Sequence, residues 1–97
     1  MSKVVKYTTI PLTLDPRGGA TPSDCKDILF INYGDYDPTN PTGENLIVND
    51  VVVVYPGCTY EVKCESGEEL LVSRFKYKFS DGGGAKNGVV VRKVVTS

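Results

Sequence analysis

The chain contains no histidine. That omission removes the commonest general base at neutral pH, and the partner on which most nucleophilic serines and cysteines depend. Three thiols remain, Cys25, Cys58 and Cys64. Their number is odd, and their spacing matches neither a disulfide framework nor a CxxC metal motif. We read all three as reduced and packed as small apolar residues. Paired carboxylates for glycoside hydrolysis would need a deep cleft, which so short a chain has little material to build. The expectation is a protein that is not an enzyme and carries no cofactor.

Hard oxygen donors collect in one place. The loop over residues 34–45 holds Asp35, Asp37, Asn40 and Glu44, a set that calcium would use. It begins like an EF-hand loop but lacks glycine at the sixth position and glutamate at the twelfth, and Pro38 and Pro41 stiffen it differently. Turn-forming Asp and Asn side chains, bonded to nearby backbone, are the preferred account of these residues. The glycine cluster of residues 81–88 has no Gly-Lys-Ser/Thr, and a strand rather than a helix follows it. It therefore reads as a flexible hairpin loop with Asn87-Gly88 as its turn, not as a phosphate cradle.

Arg74, Lys76 and Lys78 form a basic stripe at period two, which Lys63, Arg92 and Lys93 could extend. Alternation puts Phe75, Tyr77 and Phe79 on the opposite face. Stacking and charge then cannot cooperate on single-stranded nucleic acid, so the stripe reads as a solvated face or a protein contact. The interaction candidates are Arg74, Lys76 and Lys78 with Tyr36, Pro38 and Pro41 of the long loop. Tyr33, Tyr36 and Tyr55 are the aromatic candidates for a ligand-binding cluster.

Strands must position these residues, because helical periodicity is nearly absent; one short helix or turn over residues 22–26 is the sole exception. Residues 3–10 read as a strand closed by Pro11, with an extension through 12–14. Residues 27–33 carry four consecutive apolar residues and read as a strand buried on both faces. Residues 46–48 and 51–55 follow, with Asn49-Asp50 as a bulge or tight turn. Residues 58–65 and 71–79 alternate cleanly and predict a hairpin about Gly67-Glu68, pairing Glu61 with Arg74 and Tyr60 with Phe75. Residues 89–95 are the last strand. The predicted fold is all-β, a small antiparallel β-sandwich or barrel of Ig-like type with six to seven short strands. It forms a single domain over 1–97, with residues 1–14 as an edge strand or arm.

Composition narrows the function classes. The 97 residues carry a net charge of −1, too little basic excess for tracking a phosphate backbone, so nucleic acid is not the expected partner. The charge is uneven: residues 15–50 hold seven acids and two bases, while residues 51–97 hold five acids and seven bases. No apolar run approaches a membrane span or a signal-peptide core, so the expected location is the cytoplasm of the producing cell, or a virion, with no membrane partner. Small size, all-β patterning and proline-bearing loops imply a structural subunit whose partners are other protein subunits, through self-association or on a particle surface. A phage or virus accessory protein of the capsid or tail is the type. In general kind the chain resembles small β-sandwich virion proteins. The alternatives are a stand-alone module for a peptide, glycan or small ligand, and an oligonucleotide-binding barrel.

Overall fold

The alternation of apolar and polar residues resolves into eight strands: β1 Lys6–Thr13, β2 Gly19–Ala20, β3 Asp27–Asn32, β4 Leu46–Val48, β5 Val52–Val54, β6 Thr59–Lys63, β7 Lys76–Phe79 and β8 Gly88–Thr96. The computed structural model describes residues 6–21, 25–37, 39–40, 42–63 and 74–96. Two four-stranded antiparallel sheets form, in the orders β1-β8-β3-β6 and β2-β7-β4-β5. No helix occurs among the described residues.

The pairings have a simple generator. β4 pairs with β5, β3 with β6, β2 with β7 and β1 with β8, all antiparallel. The chain is thus one long ribbon doubled back at Asn49-Asp50. It is rolled so that β3 also meets β8 and β4 also meets β7. This is the jelly-roll arrangement of two Greek keys. The all-β, antiparallel expectation stands, but the count is eight strands, in two sheets of four. The immunoglobulin order, which pairs the first strand with the second, is absent, since β1 and β2 lie in different sheets. The two sheets are separate and do not close into a barrel.

Local turn chemistry sets the fold of the ribbon. Asn49 and Asp50 both have positive φ (52° and 62°), the sign that suits the right-handed twist of a tight hairpin. The Val51 N–H closes the turn on the Val48 carbonyl at 3.2 Å. Asn49 also extends the β4–β7 ladder: its N–H donates to the Lys76 carbonyl and its Oδ1 accepts from the Lys76 N–H.

The hairpin expected between residues 58–65 and 71–79 does not form. β6 pairs with β3, placing Tyr60 opposite Phe30 and Glu61 opposite Leu29, while β7 lies in the other sheet. Each cross-strand pair of that hairpin is worth only about 0.2–1 kcal/mol. The observed fold instead packs both segments on β3, with Phe30 in contact with both Tyr60 and Phe75 at ring separations of 6.4 and 6.0 Å. The segment expected to turn, including Cys64 and Leu71, lies outside the described residues. Likewise β7 and β8 occupy different sheets, so residues 80–87 cross between sheets and Asn87-Gly88 is not a hairpin turn.

Leu14, Ile28, Phe30, Leu46, Val48, Val54, Phe75, Tyr77, Phe79 and Val90 fill the core, with Cys25 among them. β3 alternates instead of being buried on both faces: Ile28 and Phe30 point inward, and Leu29 and Ile31 are half-buried outside. β1 runs straight through Pro11 as an edge strand. That is the position where a proline costs no ladder bond. Sheet β2-β7-β4-β5 has strands of two to four residues and leaves the longer β1 partly uncovered, so Ile10 and Leu12 stay about 40% exposed. Between Ile10 and Ile28 lies Arg92, whose buried Nε has no hydrogen-bond partner. The proposed helix or turn over 22–26 falls mostly on residues outside the described set; Cys25 is a bridge residue.

Candidate functional site

At one end of the sandwich the loops 33–45, 55–58 and 80–87 converge on two buried polar residues. Asn32 occupies the third inward position of β3 after Ile28 and Phe30, and it is fully buried. Its Nδ2 donates to the carbonyls of Glu44 and Val54, both at 2.9 Å, and its Oδ1 accepts from the Gly34 N–H. Gly34 has φ 57°, and a side chain there would run into Pro56. Pro56 itself belongs to the turn Tyr55-Pro56-Gly57-Cys58, in which the Cys58 N–H donates to the Tyr55 carbonyl and Gly57 takes φ 83°. Proline followed by a positive-φ glycine is the type II pattern.

Glu44 shares the inward parity of Leu46 and Val48 and is buried. Its carboxylate is caged by the glycine loop: the Gly82 N–H and the Ser80 hydroxyl donate to Oε1, and the Gly84 N–H donates to Oε2 at 2.8 Å. These bonds, Gly82 first, hold the Glu44 carboxyl below its ordinary value. Residues 81–88 are therefore pinned, not a free hairpin loop. The glycines do cradle an anion, and it is the protein's own carboxylate. Asn32 was missed in the sequence and Glu44 was read there only as an oxygen donor of the long loop, although each is a polar residue that shares the core parity of the strand beside it.

The long loop then folds on itself. Asp35 accepts from the Thr42 hydroxyl at 2.6 Å and from the Asp37 and Thr42 N–H groups. Asp37 accepts from the Thr39 hydroxyl and N–H and from the Asn40 N–H. The threonine hydroxyls lead in lowering both carboxyls. Asp35 and Asp37 thus accept hydrogen bonds from the loop's own turns while the Glu44 carboxylate faces the glycine loop. No group of three or more Asp, Glu or Cys among the described residues is placed to hold a metal ion. Tyr36 sits between the two aspartates with φ 65°, two-thirds exposed, and stacks on Tyr33 at 5.5 Å and 20°. Tyr55 is exposed at the same end, on its own turn. Pro38 and Pro41 lie outside the described residues.

The basic stripe is on a different surface. Phe75, Tyr77 and Phe79 are buried, while Arg74, Lys76 and Lys78 project from the outer face of β7. Lys78 pairs with Asp50 at 3.3 Å; no ion pair holds Arg74 or Lys76 among the described residues. A shallow groove of about 470 Å³ runs beside them, with Gly19, Ala20 and Ile47 in its lining and Lys76, Lys78 and Asp50 against it. Lys63, Arg92 and Lys93 do not extend the stripe, because they belong to β6 and β8 in the other sheet. There Lys63 pairs with Glu61, and Lys93 with Asp27. The stripe and Tyr36, grouped in the sequence as interaction candidates, lie on different faces.

Of the cysteines, Cys25 is buried as expected. Cys58 is instead exposed, because the turn that carries it stands outside the core. Cys64 lies outside the described residues. No helix among the described residues is long and apolar enough to cross a membrane. Comparison with known proteins finds no family model that matches the chain, and no curated protein or solved structure similar to it.

Proposed function

We propose that the protein is a non-enzymatic structural subunit of a larger protein assembly, of the accessory kind carried on the capsid or tail of a phage or virus particle. The observation that carries this reading is the outer face of β7. There Lys76, with Arg74 just before the strand, stands exposed without an ion pair among the described residues while the intervening aromatics are buried, which leaves a cationic face suited to a protein surface of opposite charge. The jelly-roll strand order agrees, since viral capsid domains use it, but lectins and cupins use it too, so the fold alone is analogy. Burial of Phe75, Tyr77 and Phe79 takes stacking groups away from the stripe, which counts against a single-stranded nucleic-acid partner. The producing cell's cytoplasm and the assembled particle are the proposed locations.

The test is the solution mass of the full chain, by light scattering after size exclusion over rising concentration, with and without calcium. Concentration-dependent association, indifferent to calcium, is expected. A monomer throughout overturns the reading. A second reading, a module binding a glycan or peptide, is favoured by the exposed Tyr33–Tyr36 stack. It predicts that such a ligand perturbs the Tyr33 and Tyr36 ring resonances of the monomer.

A further inference from the structure

Two exposed surfaces of this chain are opposite in net charge. One is the tip Asp35-Tyr36-Asp37, in which an exposed ring is flanked by two carboxylates. The other is the groove on sheet β2-β7-β4-β5, with Gly19, Ala20 and Ile47 as its apolar lining and Lys76, Lys78 and Asp50 beside it, Asp50 paired with Lys78 at 3.3 Å. Lys76 and Lys78 are two residues apart on one strand, so their stems leave the sheet about 7 Å apart on the same side. A tyrosine ring seated on the apolar lining brings its flanking carboxylates towards Lys76, Lys78 being shared with Asp50 of its own copy. The groove volume of about 470 Å³ accommodates one such ring, and Arg74, exposed and without an ion pair among the described residues, adds positive charge two residues from Lys76.

We propose that the groove is the docking site for the Asp35-Tyr36-Asp37 tip of a second copy of this chain, an inference that rests on the structural-subunit reading above. Charge complementarity selects this occupant. The acid-rich part of the chain, residues 15–50, carries the tip, and the base-rich part, residues 51–97, carries the stripe. Because tip and groove are different surfaces, one at the loop end and one on a sheet face, the contact is heterologous. Each copy keeps a free tip and a free groove, so copies add head to side into a ring or an open chain.

Two variants separate the surfaces. Lys76→Glu with Lys78→Glu reverses the groove at exposed positions. Tyr36→Gly with Asp37→Asn removes the ring and one charge of the tip while retaining folding determinants: glycine accepts the positive φ, and asparagine keeps an acceptor for Thr39. Circular dichroism confirms that both fold, and light scattering reads their mass. The wild type is expected to associate with rising concentration, and less so as salt is added. Each variant alone is expected to remain monomeric. An equimolar mixture is expected to stop at a one-to-one dimer, since only one intact tip and one intact groove remain. A mixture that stays monomeric overturns the contact, as do variants that associate like the wild type; in either case an associating wild type leaves the subunit reading standing. A wild type monomeric at every concentration overturns both.

Discussion

The buried Asn32 side chain donates to the main-chain carbonyl of Glu44 at 2.9 Å, tying the end of β3 to the residue whose carboxylate holds the glycine loop. Two polar side chains that occupy core positions thus organise the loop end that presents the tyrosines.

Asn32→Leu should be strongly destabilising although the side-chain volumes are similar. It strands the carbonyls of Glu44 and Val54 and the Gly34 N–H in the interior, at about 1–3 kcal/mol for each buried group left unpaired. Urea unfolding checks this, and a midpoint equal to wild type would show that the network is not needed.

Stability should fall on acidification through the Glu44 carboxylate. Its folded-state pKa lies below the ordinary 4.5, so its contribution is complete above that value and is lost as pH drops through the lower, folded value. Asp15, Asp35 and Asp37 are lowered as well, which makes the variant comparison the decisive measurement. Glu44→Gln should melt several degrees lower than wild type at pH 7, with the gap narrowing towards pH 3. A gap that stays constant with pH would count against the carboxylate as its source.

The two faces of β7 should respond oppositely to substitution. Phe75 packs edge-on against Phe30, so Phe75→Ala should cost about 3–5 kcal/mol in unfolding free energy. The neighbouring Lys76→Glu should leave the melting temperature nearly unchanged while altering association. Equal thermal effects would contradict the face assignment.

Pro11→Val should promote association through the edge of β1. The Leu14 N–H points to β8, where it donates to the Gly88 carbonyl at 2.9 Å. Alternation along the strand then turns position 11 outward to the free edge. Proline removes a donor there, and an open donor row is the known template for edge-to-edge pairing. Aggregation rate at matched concentration measures the effect, and it should rise for the variant.

Class, most strand positions and the two faces of β7 were legible in the sequence because they are short-range, whereas the continuous apolar run of β3 hid its alternation. Period-two alternation in Phe75-Lys76-Tyr77-Lys78-Phe79 specifies which side is buried wherever the strand is placed, and Asn49-Asp50 marks a turn by its tolerance of positive φ. β2 escaped notice because two small residues, Gly19 and Ala20, carry no alternation. Pairing was decided only by the tertiary structure. β6 and β7 have matching patterns and would suit a hairpin, yet β6 pairs with β3 and β7 with β2 and β4, which lets Phe30 contact both Tyr60 and Phe75. The Glu44 cage needed the same long-range information. A carboxylate on core parity and a glycine-rich loop are separate facts along the chain, and only the rolled ribbon brings the Gly82 and Gly84 N–H groups to the carboxylate.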